Sequence, residues 1–328
     1  MRFIIKTLVS LLVLVSAVLI AARLAAHMRE TEPLEAVVPQ EGRLIETALG
    51  GVFVLEEGDG DAPVVLFAHG TAAWSGLWQP VLKEIGADGW RAVAFDMPPF
   101  GFSERARDGD YSRMRQAERI LALVEALGTR PILVAHSIGA GPGVEAVMQR
   151  PDAFAGLVVV DGALGLNSHE SRKDLPFPLR FGPLREAVTA LTMNNPLLTG
   201  TFLCQLIHVD EAATDEVLSV LKAPFVRQGT TASYADWVPS LLVSPQDALS
   251  TRPLNYAALS LPLVYIWGEE DTVTPLAQGE ALARSTPGAR LLTIPDSGHI
   301  PQIETPDTFL LVLRDALGFI SSGPDTPN

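Results

Sequence analysis

The stretch Pro131-Ile132-Leu133-Val134-Ala135-His136-Ser137-Ile138-Gly139-Ala140-Gly141 constrains this chain more than any other. A short apolar, partly β-branched run of this kind predicts a buried strand. It stops at a serine between small residues, and a helical pattern follows. A strand that turns sharply into a helix at a serine lifts the hydroxyl to the C-terminal edge of a sheet, the geometry of a nucleophile elbow. The next backbone N–H and the positive end of the helix then face whatever the oxygen attacks. Ala135 and Gly139, two before and two after Ser137, are small enough for strand and helix to approach closely. The strict motif has glycine at both places, so Ala135 is a departure. Pro142 removes a backbone donor early in the helix and predicts an irregular first turn. Taken alone, these residues also fit a serine that only caps a helix.

The surroundings of this stretch alternate. Arg43–Thr47 and Gly51–Leu55 predict a hairpin turning at Gly50-Gly51. Pro63–Ala68 predicts a buried strand leading into His69-Gly70-Thr71, Trp78–Ile85 a short helix, and Ala92–Phe95 the next strand. Met114–Leu127 carries apolar residues at helical spacing and is closed by Gly128. Leu157–Val160, Leu263–Trp267 and Arg290–Ile294 are further strands, with a helix near Gln278–Arg284. A final helix starts with Thr305 as N-cap and Pro306 at its first position, and runs to about Ile320. Alternating strands and helices imply an α/β fold, a doubly wound and mostly parallel sheet. From Leu164 to about Leu259 the alternation lapses into Pro-rich turns and helical segments such as Ala212–Leu221, which predicts a mostly helical cap inserted between two strands. The expected division is an N-terminal segment over 1–27, a linker over 28–41, core over 42–163, cap over 164–259, core again over 260–320, and a polar tail over 321–328.

The N-terminal segment stands apart. Arg2 and Lys6 precede an uncharged apolar run from Thr7 to Ala22, closed by Arg23. With Phe3–Ile5 and Leu24–Ala26 added, and Lys6 and Arg23 snorkelling, it is long enough to span a bilayer. No clean Ala-x-Ala cleavage site follows, so an uncleaved anchor is favoured over a secreted product of signal cleavage. The positive charge before the run predicts that the rest of the chain lies outside the cytoplasm.

Across the 328 residues the net charge is −14, which argues against a nucleic-acid partner. Cys204 is the only cysteine, which excludes a disulfide framework and a thiolate-rich metal site but leaves the compartment open. His27, His169 and His208 lack ligand-like spacing, so neither a metal nor a cofactor is implied. The oligomeric state is not legible.

A serine hydroxyl is a poor nucleophile at neutral pH; it needs a base in hydrogen-bond reach, and the base needs a carboxylate to hold its tautomer. Two late loops supply both. Gly268-Glu269-Glu270-Asp271-Thr272-Val273-Thr274-Pro275 follows one strand, and Pro295-Asp296-Ser297-Gly298-His299-Ile300-Pro301 follows the next. Parallel strands put these loops on one edge, where Ser137, Asp271 and His299 can converge. Glu269 and Glu270 read as solvated loop charges. Asp161, after Leu157–Val160, is the competing acid.

With these motifs in this order, the chain resembles the α/β-hydrolase superfamily over most of residues 45–320, and within it the capped, single-domain esterase and hydrolase branch. The resemblance implies that the N–H groups of Thr71, after His69-Gly70, and of Ile138 form an oxyanion hole. Asp96-Met97-Pro98-Pro99-Phe100-Gly101-Phe102-Ser103 is similar to the family's Asp-x-x-Gly-x-Gly-x-Ser loop, with Pro99 where glycine is usual. A serine at the elbow argues against dehalogenase or epoxide hydrolase chemistry, which uses aspartate there. The implied activity is hydrolysis of an ester or related acyl bond of a small, apolar molecule, with Ser137 as nucleophile, His299 as base and Asp271 as orienting acid. A cofactor-free acyltransferase or perhydrolase on the same triad, and a non-catalytic binding member, are the alternatives. His136 is expected to point away from the site and His69 to brace the oxyanion loop. Trp74 and Trp78 are expected in the core or at the pocket wall.

Overall fold

The computed structural model describes residues 1–166 and 174–322, so His169 and the last six positions of the tail lie outside the described residues. Eight strands form one sheet: β1 (Gly42–Thr47), β2 (Gly50–Glu57), β3 (Val64–Ala68), β4 (Arg91–Phe95), β5 (Ile132–His136), β6 (Gly156–Val160), β7 (Leu263–Gly268) and β8 (Arg290–Ile294), in the order β1-β2-β4-β3-β5-β6-β7-β8. β1, β2 and β4 pair antiparallel; every pairing from β4 through β8 is parallel.

The central strands are apolar along their whole length because both faces are covered. Val64, Leu66 and Ala68 of β3 point into one core with Ile120 and Val124 of the helix Arg113–Leu127 and Val144 of the helix Ala140–Gln149. Val65 and Phe67 point into the other, with Leu82 of the helix Gln79–Ala87 and Phe309 and Leu313 of the helix Pro306–Ser322. Each such fully buried side chain is stabilising by about 1.5–3 kcal/mol relative to exposure. β4 and β5, which follow β3 in sequence, flank it on opposite sides, so strand order reverses at β3 and β5. A crevice opens outside the strand ends at such a reversal. The loops that begin at His69 and at Ser137 both open there.

Three local expectations change. The hairpin turns at Ala48-Leu49 rather than at Gly50-Gly51, because Thr47 pairs directly with Gly50 and those glycines start β2. Thr305 does not cap the last helix with its side chain; its buried hydroxyl has no partner, although its carbonyl accepts from the Phe309 N–H. The segment at 28–41 is not a free linker. The N-terminal helix continues to Arg29, Glu30 and Glu32 are hydrogen-bonded to the cap, and Leu34–Val37 forms a helical turn.

Between β6 and β7 the described residues contain helices and turns and no strand, among them the helices Gly182–Leu191, Thr199–Cys204, Asp215–Lys222 and Thr230–Leu242. They lie over the C-terminal edge of the sheet. Arg227, almost wholly buried, reaches down from them and donates to the carbonyls of Gly101 and Ser103 at 2.9 and 2.8 Å. The helix Arg2–Arg29 is long and apolar enough to cross a membrane, and none of its most apolar stretch is buried against the body.

Candidate active site

β5 ends at His136, and Ser137 follows with φ of +52°, a left-handed conformation that a non-glycine residue adopts only when its surroundings enforce it. A single 3₁₀ turn, Ser137–Gly139, precedes the helix that starts at Ala140, as Pro142 implied. The small residues are required by close approach. A Cβ at position 139 would stand 2.5 Å from the His69 carbonyl oxygen. Ala135 is tolerated because its helical opposite is Gly143, where an added Cβ would stand 3.1 Å from that of Ala135. The glycine missing before the serine is thus supplied from the other side.

Ser137, His299 and Asp271 meet. Ser137 Oγ lies 2.7 Å from His299 Nε2, and His299 Nδ1 lies 2.8 Å from Asp271 Oδ2. All three residues are buried. Asp271 is itself held: Oδ1 accepts the N–H groups of Val273 and Thr274 at 2.7 and 2.9 Å, and Oδ2 accepts the Thr274 hydroxyl at 2.7 Å. Burial pushes this carboxyl up, but its bonds to His299 and Thr274 outweigh that and hold it below the usual carboxylate range. The turn that carries it is pinned by the Trp267 indole N–H on the Thr274 carbonyl at 2.6 Å. Glu269 and Glu270 stay exposed.

Asp161 has a different place. Its Oδ1 accepts the Gly268 N–H at 2.8 Å, tying the end of β6 to the end of β7, while Oδ2 is buried without a partner. Burial pushes its pKa well up, and the neighbouring Asp271 charge adds to the effect. His69 accepts the Met97 N–H on Nε2 and donates from Nδ1 to the Gly70 carbonyl, so it is neutral; burial lowers its pKa to about 4. It braces the loop, as expected. Asp96 accepts the N–H groups of Ser75 and Phe102, both at 2.6 Å, and burial raises its pKa to about 6. Ser103 donates to the Asp96 carbonyl and accepts from the Phe53 N–H, which locks the Asp96–Ser103 loop to β2.

One expectation about side chains is corrected. His136 does not point away: it lines the cavity over Ser137 and donates from Nε2 to the His299 carbonyl at 2.8 Å. Burial, with the nearby His299 contributing, depresses its pKa to about 3, so it acts as a fixed neutral donor. Trp74 and Trp78 belong to the core, packed against Phe53 and Phe102 and against Phe67 and Phe309 respectively.

Sequence reasoning missed Glu304. Its buried carboxylate accepts four backbone N–H groups: His208 at 2.7, Val209 at 3.1 and Gly298 at 2.9 Å on Oε2, and Ile300 at 2.8 Å on Oε1. It therefore fixes both neighbours of His299 and joins that loop to the cap. A glutamate five residues after the histidine was the only available signal, and nothing in it reveals the partners.

Above Ser137 lies a cavity of about 250 Å³ lined by Thr71 and Ile138 and, from the cap, by Met193, Phe202, Leu206 and Phe225. Its wall is overwhelmingly apolar. A more voluminous open groove, about 570 Å³, runs along Asp108–Arg113 on the outside and reaches none of the three hydrogen-bonded residues. Among the described residues no group of His, Cys, Asp and Glu is arranged to hold a metal ion.

Comparison with known proteins agrees with this architecture. The model of the "Alpha/beta hydrolase family" matches residues 65–310. A 2-hydroxymuconate semialdehyde hydrolase of Pseudomonas putida is 27% identical over 287 residues, 85% of this chain and 95% of the relative. Among solved structures, a thermophilic esterase of Thermogutta terrifontis superposes with a TM-score of 0.66 at 21% identity, covering 85% of this chain and 98% of the esterase. A bacterial membrane phospholipase A superposes with a TM-score of 0.68 at 19% identity, covering 98% of this chain and 99% of the other. The family match spans the sheet from β3 to β8, the elbow and both late loops, and on that ground the chain belongs to the α/β-hydrolase family and is an enzyme of hydrolase type.

Proposed function

We propose that the protein is a serine hydrolase that cleaves an ester or related acyl bond of a small, apolar substrate through an acyl-enzyme. The observation that carries this reading is the unbroken chain from Ser137 Oγ through His299 to Asp271 beneath an apolar cavity. His299 Nε2 takes the Ser137 proton as Oγ attacks the carbonyl carbon, and Asp271 keeps the other proton on Nδ1. The N–H groups of Thr71 and Ile138 receive the oxyanion. His299 then returns the proton to the leaving oxygen, and water, activated by the same imidazole, discharges the acyl group. The esterase and the phospholipase A among the structural neighbours support an ester as substrate. An alcohol or peroxide in place of water would make the same site an acyltransferase or perhydrolase; product analysis with competing nucleophiles decides. A fluorophosphonate should label Ser137, and Ser137→Ala should lose labelling and ester hydrolysis together. Labelling that survives the substitution would remove Ser137 from the role.

We also propose that the N-terminal helix is an uncleaved anchor, with the catalytic body outside the cytoplasm. Its last turns support this. Arg23 makes a two-nitrogen contact to Glu186 at 2.8 and 3.0 Å, Ala26 is buried, and Arg29 donates to the carbonyls of Asn194 and Phe225. Cleavage near Ala26 would strip the cap of Arg23 and Ala26 and leave Arg29 three residues from a free end. We accordingly place the boundary of the anchor after Arg29, with the cap over 164–259 and the core on either side of it.

A further inference from the structure

The anchor and the cap share a register. Arg23 binds Glu186, and six residues later Arg29 binds the carbonyl of Asn194, eight residues after Glu186. Numbering rises together on both sides, so the two segments run side by side in the same direction. Positions before Glu186 therefore lie beside positions before Arg23, toward the apolar run. Phe181 precedes Glu186 by five residues, about 7–8 Å at helical rise, which sets it near the level of Val18. Leu19 is the first residue of the helix that is part-buried, and all those before it are exposed, so the helix is bare up to this level. At that level the cap shows two aromatic rings to the outside: Phe181 is 64% and Phe177, in the turn just before it, 84% exposed. Between them the Arg180 head pairs with Asp174 at 3.6 Å.

The same cap elements form the wall of the cavity. Met193, next to Asn194, and Phe225, whose carbonyl accepts from Arg29 and whose ring lies 5.8 Å from the Arg29 guanidinium carbon, both face Ser137. Whatever fixes the height of the anchor thus fixes the height of this wall.

We propose that the Phe177–Phe181 turn is seated in the interfacial layer of the bilayer beside the anchor, and that it presents the cavity to acyl esters drawn from the membrane. Continuity with the apolar helix selects lipid as the occupant. Two phenylalanines at the level of a span gain burial from the acyl–headgroup boundary with no partner protein. The substrate half of the proposal rests on the ester-hydrolase reading above; the seating does not.

The test uses the full chain in phosphatidylcholine–phosphatidylglycerol vesicles. In a Cys204→Ser background, Phe177→Cys, Phe181→Cys, Leu12→Cys and Leu254→Cys are labelled singly with an environment-sensitive fluorophore and exposed to lipids carrying nitroxides at graded depth. Leu12 reports the span; Leu254, 88% exposed on the helix Pro253–Tyr256 that leads to the start of β7, reports a face away from it. Labels at 177 and 181 should be quenched most strongly by shallow nitroxides, and the label at 254 should not be quenched. If position 12 is quenched while 177 and 181 behave like 254, the seating is wrong. If position 12 is unquenched, the helix is no span and the proposal falls with it. Quenching at 177 that scales with protein density instead of nitroxide content would assign the face to a second copy of the chain and overturn the proposal. In parallel, Phe177→Ser with Phe181→Ser should leave hydrolysis of a water-soluble ester unchanged and raise KM for the same acyl group held in vesicles roughly tenfold. An equal loss on both esters, or on neither, would overturn the delivery role. Inactivity of the unaltered chain on both would refute ester hydrolysis and leave the quenching result standing.

Discussion

The substitution that interrogates the site most closely is Asp271→Asn, because the surrounding donors dictate how the new amide sits. Oδ1 of Asp271 accepts two backbone N–H groups, from Val273 at 2.7 Å and Thr274 at 2.9 Å. An NH₂ group there would face two donors that cannot turn away. The amide oxygen therefore takes the Oδ1 place and the NH₂ group takes that of Oδ2, 2.8 Å from His299 Nδ1. The Thr274 hydroxyl can rotate to accept, and its alternative acceptor, the Asp161 carbonyl at 3.2 Å, is already in place. An NH₂ at that position donates to Nδ1, so Nδ1 loses its proton and Nε2 carries it. Nε2 then donates to Ser137 Oγ across the 2.7 Å contact where it had accepted. The fold is kept and the base is lost.

The expected loss in kcat is about 10⁴-fold, or about 5.5 kcal/mol of barrier. Steady-state hydrolysis of a chromogenic ester, beside a melting curve that shows an unchanged transition, measures it. Asp161→Asn is the matched comparison. Its Oδ2 has no partner and burial pushes its pKa well up, disfavouring the charged form, so a neutral amide is tolerated there. Turnover should stay within a few-fold. A loss below tenfold at 271, or a larger loss at 161 than at 271, would refute the reasoning from donor placement.

Two further outcomes follow from the braces around His299. In Glu304→Gln one end of the side chain must turn an NH₂ group toward backbone donors, at least toward the Ile300 N–H at 2.8 Å, and the remaining bonds lose their charge. A destabilisation of about 3 kcal/mol is expected by denaturant titration, with kcat falling more than KM rises, and a midpoint equal to that of the unaltered protein would contradict it. His136 is held neutral with its pKa lowered from 6.5 to about 3, so the unfolded chain binds its proton first as pH falls. Its contribution is present above about 6.5 and is lost by about 1.4 kcal/mol per pH unit on the way down to about 3. The stability difference between the unaltered protein and His136→Gln should shrink or invert with that slope below pH 6.5; a difference independent of pH would show that His136 is not the group responsible.

Much of this site was legible because its parts are local. The strand runs are continuous and apolar, the serine follows one of them directly, and Asp271 and His299 follow two others, so parallel order alone carries them to one edge. The departures are equally local in cause. Gly50-Gly51 drew the hairpin turn to itself although Thr47 pairs with Gly50, and Ala135 looked anomalous until Gly143 came to lie opposite it. His136 departs from expectation because at the last position of the strand the chain is already turning, and the ring swings to the His299 carbonyl.

What stayed hidden shares one physical property. Arg227 holds the Gly101 and Ser103 carbonyls, Arg29 those of Asn194 and Phe225, and Glu304 the N–H groups of His208, Val209, Gly298 and Ile300. Each is a charged side chain that fixes the cap or the His299 loop by gripping backbone. Backbone groups are the same at every residue, so such a grip leaves no trace at the gripped position, and a lone Arg or Glu in a mostly apolar region reads as surface charge. The height of the cap over Ser137, and so the shape of the cavity, is therefore braced by residues whose partners only the folded chain reveals. Substituting Arg29 or Arg227 should change the preferred ester, read on a panel of graded acyl length, before it changes turnover on a small one, since neither touches Ser137, His299 or Asp271 through its side chain; Glu304, which also holds both neighbours of His299, should lower kcat as well.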